Sequence, residues 1–159
     1  MLQPDVYYEI ANNIFTNTLG LSDDYYKTFT NSAEVKEFTK KYLDNMDYLR
    51  GLVIDELQNY DTSENHPADI EDITENAISE LFYKIDDMTE MYYRTQRQIT
   101  LNVYSEIIAA MDNIVGVASV DSEYEPSDPD VGIYEESRTI TVTLDNGAEI
   151  YFNVEIAEE

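Results

Sequence analysis

The chain has 159 residues, with 34 Asp and Glu against 9 Lys and Arg, and therefore a formal net charge of −25. A field of this sign repels nucleic acid and anionic membranes, because both are bound through clustered Lys and Arg. The chain has no Cys and a single His, which excludes disulfides, thiol catalysis and zinc–thiolate sites. Its 43% of apolar residues can bury a core, and the length fits one domain spanning residues 1–159.

The composition also indicates that negative charge is useful to this protein. Ile, Asn and Tyr are abundant, with 15, 12 and 14 copies, as AT-rich codons would give, yet only 5 Lys are present. Such codons usually bring many Lys residues as well, so Lys is depleted against its own background. No apolar run approaches the ~18 residues that span a bilayer, and the first residues lack the basic and apolar regions of a signal peptide. We therefore expect a cytoplasmic protein.

The first half of the chain has the apolar periodicity of amphipathic helices. A helix is predicted from Pro4 to Gly20, since Pro favours the first helical position and Gly the end. Beyond Asn31, apolar residues recur every three or four positions, which predicts one sustained helix over 33–60 with a weak point at Gly51.

A second long helical pattern covers 69–111. An unbroken helix of this length is unusual in a small domain, so we expect a break or kink within Arg97–Asn102, where Thr and Asn lower helix propensity. The pattern then changes to β. A strand is predicted at Val115–Val120, followed by a loop over Asp121–Glu136, which contains two Pro and one Gly.

The end of the chain alternates apolar and polar residues and predicts a hairpin with arms 138–144 and 148–156. A three-residue turn ending at Gly147 keeps both apolar sets on one face, because register follows the face that must be buried. The residues expected on that buried face are Ile140, Val142, Leu144, Ile150, Phe152 and Val154. The whole pattern predicts an α+β fold, with a helical N-terminal two-thirds (1–113) packed on a small C-terminal antiparallel sheet (114–159) that ends in the hairpin.

Catalytic and metal sites find little support. His66 stands alone in a polar loop, and no second His or Cys is available for a triad or a zinc site. Carboxylates between Asp61 and Asp72 have some of the spacing of a calcium loop, but His66 occupies the position where a sharp turn needs Gly, and the last ligand is Asp instead of Glu. We therefore predict no enzymatic activity, no metal and no cofactor.

Acidic residues gather in two places. The first is one side of the second long helix, which we call the helix stripe; it contains Asp72, Glu75, Tyr83, Asp86 and Glu90. The second is the loop Asp121–Glu136, which holds seven acids, two Tyr and no base in 16 residues. Residues 114–159 carry 12 acids and one base, whereas residues 1–113 carry 22 acids and 8 bases. The field is therefore concentrated at the C-terminal end.

An acidic surface that also carries Tyr suits a basic partner, because carboxylates pair with Arg and Lys while Tyr gives contact area at low entropic cost. The residues predicted to bind such a partner are Asp121, Glu123, Tyr124, Glu125, Asp128, Asp130, Tyr134, Glu135 and Glu136 in the loop, and Asp72, Glu75, Asp86 and Glu90 in the helix stripe. A solvated surface whose charge serves only solubility is the alternative interpretation of both sets.

With its small size, strong acidity, many Tyr and no Cys, the chain resembles the DNA-mimic proteins of phages and mobile elements, including anti-CRISPR and antirestriction proteins. The resemblance is one of class and includes no aligned motif. It implies a stoichiometric inhibitor, in the cytoplasm of a bacterial host cell, that occupies the nucleic-acid-binding surface of a defence nuclease such as a CRISPR effector.

Two other functions are compatible with the same residues. One is an immunity protein or antitoxin whose acidic surface blocks a basic nuclease. The other is a helical structural or assembly protein of a phage or mobile element, whose helices 33–60 and 69–111 pack on a partner or on a second copy. The sequence therefore leaves the oligomeric state undecided between a monomer and a homodimer, while direct binding to nucleic acid or membrane is not expected.

Overall fold

The computed structural model describes residues 1–131 and 136–156. The chain forms two compact units, Met1–Thr95 and Gln96–Glu159. Helices extend to Asp112, and a three-stranded antiparallel sheet follows. The α+β prediction is therefore confirmed. Within the described residues, no helix combines the length and the apolar character needed to cross a bilayer.

The helices of the structure differ from the predicted ones mainly in where they are interrupted. Their bounds are α1 (Val6–Asn13), a π-helical continuation (Ile14–Thr18), a 3-10 turn (Tyr25–Thr28), α2 (Ser32–Tyr42), α3 (Met46–Leu57) and α4 (Pro67–Asp112). The first helix ends as predicted before Gly20, whose φ of +65° is a left-handed conformation that favours Gly.

The single helix predicted over 33–60 is wrong. The α2 helix begins with an Asn cap, in which Asn31 Oδ1 accepts the backbone N–H of Glu34, and the Glu34 carboxylate accepts the N–H and hydroxyl of the preceding Thr30 at 2.8 Å. These bonds lower the pKa of Glu34. A second Asn cap interrupts the pattern, since Asn45 Oδ1 accepts the N–H of Tyr48 and starts α3. The predicted weak point, Gly51, lies inside α3.

The break expected in the long helix is also absent, since α4 runs continuously from Pro67 to Asp112. No Pro or Gly occurs between these two residues. The hydroxyl groups that lower propensity are satisfied inside the helix, because Thr95 donates to Met91 O and Thr100 donates to Gln96 O. Nothing in this stretch therefore forces the helix to end.

The core of the first unit is built from the apolar stripes of α1, α3 and the N-terminal part of α4. Its most completely buried side chains include Ile10, Ile14, Leu49, Val53, Leu81, Ile85 and Met88. Aromatic rings extend it, since Phe38 packs edge-on against Phe29 and Tyr42 at 5.2 and 4.8 Å between ring centroids.

In the second unit, strands β1 (Val117–Glu125), β2 (Ser137–Leu144) and β3 (Glu149–Val154) form an antiparallel sheet in the order β1-β2-β3. The first part of the predicted loop Asp121–Glu136 is therefore strand, which corrects the prediction. Acidic residues have low strand propensity, but pairing of Val120 with Val142 and of Tyr124 with Arg138 overrides it.

The predicted hairpin register is confirmed. Val142 pairs with Ile150 and Ile140 pairs with Phe152. The Gly147 N–H donates to Leu144 O, and the Leu144 N–H donates to Ala148 O, both at 2.8 Å. With φ at +82°, Gly147 ends the three-residue turn in the left-handed region.

The expectation that the whole apolar face of the hairpin is buried is wrong. On the central strand Ile140 and Val142 are each 4% exposed, but on the edge strand Ile150 and Phe152 are 44% and 42% exposed. A central strand is flanked on both sides, whereas the outer side of β3 has no neighbouring strand among the described residues. The share of each side chain that leaves water therefore differs.

This contrast gives a matched test of the sheet's core. We expect Ile140→Ala to lower the free energy of unfolding by about 2–4 kcal/mol and Ile150→Ala by about 1 kcal/mol, because the first removes a buried side chain and the second a half-exposed one. Urea unfolding at low micromolar protein measures both changes. Equal losses would show that β3 is covered to the same extent as β2.

Candidate functional site

One face of the three-stranded sheet is acidic and rich in hydroxyl groups. Side chains alternate between the two faces of a strand, so the register places every second residue of each strand together. The residues on this face are Ser119, Asp121, Glu123, Glu125, Ser137, Thr139, Thr141, Thr143, Glu149, Tyr151 and Asn153, and we call it the acidic face.

The carboxylates of the acidic face are exposed, and within the described part of the chain none of them forms an ion pair. The two basic residues of this unit are engaged elsewhere: Arg97 binds Glu136 at 3.2 Å, and Arg138 is buried at 8% exposure. The Tyr151 hydroxyl donates to the Glu149 carboxylate, which raises the pKa of Tyr151. The acidic face is thus negative and lacks an internal counter-charge in the described residues.

The spacing of these charges limits what the acidic face can imitate. Carboxylates at alternate positions of a strand lie ~6.8 Å apart, because the strand rises ~3.4 Å per residue. One strand of duplex DNA presents a phosphate every ~3.4 Å along the axis, so β1 has about half that charge density. The acidic face can pair with individual Lys and Arg side chains, but it does not reproduce the charge density of a duplex.

Two residues predicted to bind a partner, Tyr124 and Glu136, also form contacts within this unit. Tyr124 points to the opposite face, where its ring lies 4.3 Å from the Arg138 guanidinium and its hydroxyl donates to Glu136 at 2.9 Å. Tyr104 of α4 lies 5.9 Å from the same guanidinium. Because Glu136 also binds Arg97, its charge is already compensated.

The remaining residues of the predicted loop are described only in part. Asp128 and Asp130 are exposed, and Asp128 Oδ1 accepts the N–H of Asp130 at the 3-10 turn Pro129–Val131. Tyr134 and Glu135 lie outside the described residues. The predicted loop therefore contributes three carboxylates to the acidic face, from its strand portion, and two exposed ones at its tip.

The helix stripe is less free than its sequence indicates. Glu75 binds Arg50 of α3 at 2.6 Å, and Glu90 binds Arg94 one turn later in α4 at 3.1 Å. The hydrogen bond that the Arg50 guanidinium donates to Glu75 raises the pKa of Arg50 above its usual range. Asp72 is exposed and has no ion pair within the described residues. The stripe thus carries less free charge than the acidic face.

Near the C-terminal half of the helix stripe, a shallow groove of about 500 Å³ is lined by Asp23, Glu80, Tyr83, Lys84, Asp86, Asp87 and Glu90. The Lys84 ammonium lies 5.4 Å from the ring of Phe15. Tyr83, Asp86 and Glu90 were predicted to share one side of the helix, whereas Asp23 was not predicted beside them, because no sequence signal links the 3-10 turn region to α4.

The structure adds no support for a metal or catalytic site. Among the described residues, no group of three or more His, Asp or Glu is arranged to hold a metal ion. The calcium-like spacing between Asp61 and Asp72 does not form a loop, since α4 already begins at Pro67. His66 is exposed, and its Nδ1 accepts the N–H of Ala68 at 3.2 Å.

Comparison of the chain with protein-family models, with curated proteins and with solved structures finds no match. Any function must therefore be argued from the surfaces described above.

The acidic face should be stabilised by an added positive charge. Thr141 lies opposite both Asp121 and Tyr151, with Glu123 and Glu149 at the diagonal positions. We expect Thr141→Lys to raise the free energy of unfolding by ~0.5 kcal/mol, as opposite charges across strands do, and the gain to vanish near 1 M salt, where the Debye length is about 3 Å.

The control is Thr141→Met, which has a long side chain without charge. Urea unfolding of both variants at low and high salt separates charge from packing. Equal stabilities at low salt would show that the carboxylates of the acidic face are already compensated.

Proposed function

We propose that this protein is a stoichiometric inhibitor that uses its acidic face to bind the basic nucleic-acid-binding surface of a bacterial defence nuclease, such as a CRISPR effector. The observation that carries the proposal is the set of four exposed carboxylates, Asp121, Glu123, Glu125 and Glu149, which have no ion pair in the described residues.

The chemistry of this face fits Lys and Arg. Carboxylates accept short, charge-assisted hydrogen bonds from guanidinium and ammonium groups. The Thr and Tyr hydroxyl groups between them can accept hydrogen bonds from the N–H groups that remain. The net charge of −25 attracts a basic partner from a distance and speeds association. Binding is therefore expected to weaken as salt screens the charges.

A nucleic-acid-binding groove is the surface on which this chemistry has the largest effect. Such a groove concentrates Lys and Arg so as to neutralise phosphates, and an acidic protein seated in it excludes the substrate. Because the charge density of β1 is about half that of one DNA strand, the face supports blocking of a basic groove instead of a close copy of a duplex. The groove beside Asp86 and the acids Asp128 and Asp130 are candidates for additional contacts.

The test is a charge reversal confined to β1. We expect the combined Asp121→Lys, Glu123→Lys and Glu125→Lys variant to raise the concentration needed for half-inhibition about 100-fold, because three attractive pairs become repulsive. The measurement is cleavage of duplex DNA by a panel of purified guide-loaded CRISPR effectors and restriction nucleases, at increasing inhibitor concentration and at two salt concentrations.

A matched control changes the net charge equally on the first unit. The combined Glu37→Lys, Asp44→Lys and Asp55→Lys variant alters exposed residues of α2, α3 and the segment between them, and should inhibit within about threefold of the parent protein, since long-range charge alone is screened. If both triple variants inhibit equally, or if no nuclease of the panel is inhibited, the proposal is wrong. Partner binding that ignores salt would favour the helical assembly function.

A further inference from the structure

The outer edge of β3 is open to a further strand. In the hairpin, the Leu144 N–H donates to Ala148 O, and antiparallel ladders alternate between bonded and non-bonded pairs. The backbone groups of Ile150 and Phe152 therefore point towards β2, and those of Glu149, Tyr151 and Asn153 point outward. Among the described residues, no strand pairs with this edge.

The face of β3 opposite the acidic face is apolar and half exposed. Ile150 and Phe152 share it with the buried Ile140 and Val142 of β2. Along this face α4 runs in the same direction as β2, because Arg97 contacts Glu136 before β2 and Gly116, just after α4, bonds to Asp145 after β2.

Exposed apolar residues of α4 extend this apolar surface. Tyr104 and its neighbours Leu101 and Ile108 lie on the sheet side of the helix and are half-buried. Each residue of an α-helix is rotated by about 100° from the one before it. Because α4 is right-handed and runs along β2, the residues one position before Tyr104 and Ile108 face β3. Val103 and Ile107, which are 51% and 52% exposed, lie on that side. An open edge and an apolar surface thus meet at β3.

The charge distribution indicates what can cover this surface. Between positions 91 and 111 the chain has one acid, Glu106, and two Arg, and β3 has only Glu149, whereas β1 has three acids along its length. A copy of the same chain, at −25, can approach only through a surface with few acids. The edge of β3 meets this condition, whereas the edge of β1 is protected from pairing by its charges.

We propose that two copies of this protein pair antiparallel along β3 and form a six-stranded sheet with two-fold symmetry. The axis lies at Tyr151, which faces Tyr151 of the second copy. This register places Glu149 opposite Asn153 and Ile150 opposite Phe152 of the second copy, so that no two carboxylates face each other.

Neighbouring registers are disfavoured by charge. A shift that centres the axis on Phe152 places Glu149 opposite Glu155, and a shift that centres it on Ile150 places Asp145 opposite Glu155. A pair of six-residue strands is ~20 Å long, which together with a few apolar side chains stays below the ~800 Å² per partner of stable dimers. We therefore expect a reversible dimer with a dissociation constant on the order of 10 µM.

The inference does not rest on the proposed function, although the dimer would join two acidic faces on one continuous sheet. The salt dependence expected for the dimer is also opposite to that expected for binding to a basic partner. Association of two acidic chains through a weakly charged edge should tighten as salt screens their repulsion, while binding to a basic partner weakens. The two ideas can therefore fail separately.

Single cysteines test the register, since the natural chain has none. Two Tyr151→Cys residues facing each other would have Cα atoms about 5.5 Å apart, within the range that a disulfide spans. Two Glu149→Cys residues would lie about 14 Å apart along the strands, beyond that range. Under mild oxidation at high micromolar concentration we expect about tenfold more covalent dimer from Tyr151→Cys than from Glu149→Cys.

Sedimentation equilibrium of the unmodified protein at low and high salt gives an independent measurement, with association expected to increase with both concentration and salt. The proposal is overturned if the protein stays monomeric throughout, or if the two cysteine variants crosslink equally.

Discussion

The register of β2 against its two neighbours decides what each face of the sheet can offer. Because side chains alternate, one register places Asp121, Glu123 and Glu149 together in water and places Ile140 and Val142 together in the core. A slip of one residue would exchange these sets, burying carboxylates and exposing the apolar residues. The three-residue turn at Gly147 fixes the register through its left-handed conformation. The turn thus fixes where Glu149 lies, while the pairing of β1 with β2 places Asp121, Glu123 and Glu125 on the same face.

Scarcity of basic residues determines which acids remain free. Several of the 9 bases are held in local pairs: Lys27 with Asp24, Arg50 with Glu75, Arg94 with Glu90 and Arg97 with Glu136. These pairs compensate helix and loop acids, whereas no described base reaches the acidic face. Unpaired like charges side by side on a sheet cost stability, so a chain selected only for folding would be expected to place a Lys among them. Their persistence is the physical argument for a binding role.

The positive charge of Arg138 serves the fold itself, through contacts inside the second unit. Arg138 is buried, its guanidinium lies over Tyr124 and near Tyr104, and Glu136 lies 3.8 Å away. Its Nε and the Tyr104 hydroxyl have no hydrogen-bond partner in the described residues. Cation–π contacts and a nearby carboxylate offset part of the desolvation cost of this charge. The arrangement links α4 to β1 and β2, and it engages Tyr124 and Glu136 in contacts within the unit.

Local patterns in the sequence were sufficient for the fold class, the three-residue turn and the hairpin register. Each of these depends on residues close in sequence or on strict alternation, and both are visible in the sequence itself. The strand at 121–125 and the exposure of Phe152 depended on competition between distant groups, whereas the interruption at Asn45 follows from a local cap. Strand pairing outweighed the low propensity of acids, and an edge position left an apolar side chain half in water. Likewise, the excess of acid was evident from composition, but the positions of Arg50, Arg97 and Arg138 in the folded chain determined which carboxylates stay unpaired. An ion pair requires proximity in space, and residues far apart in the chain become neighbours only through folding.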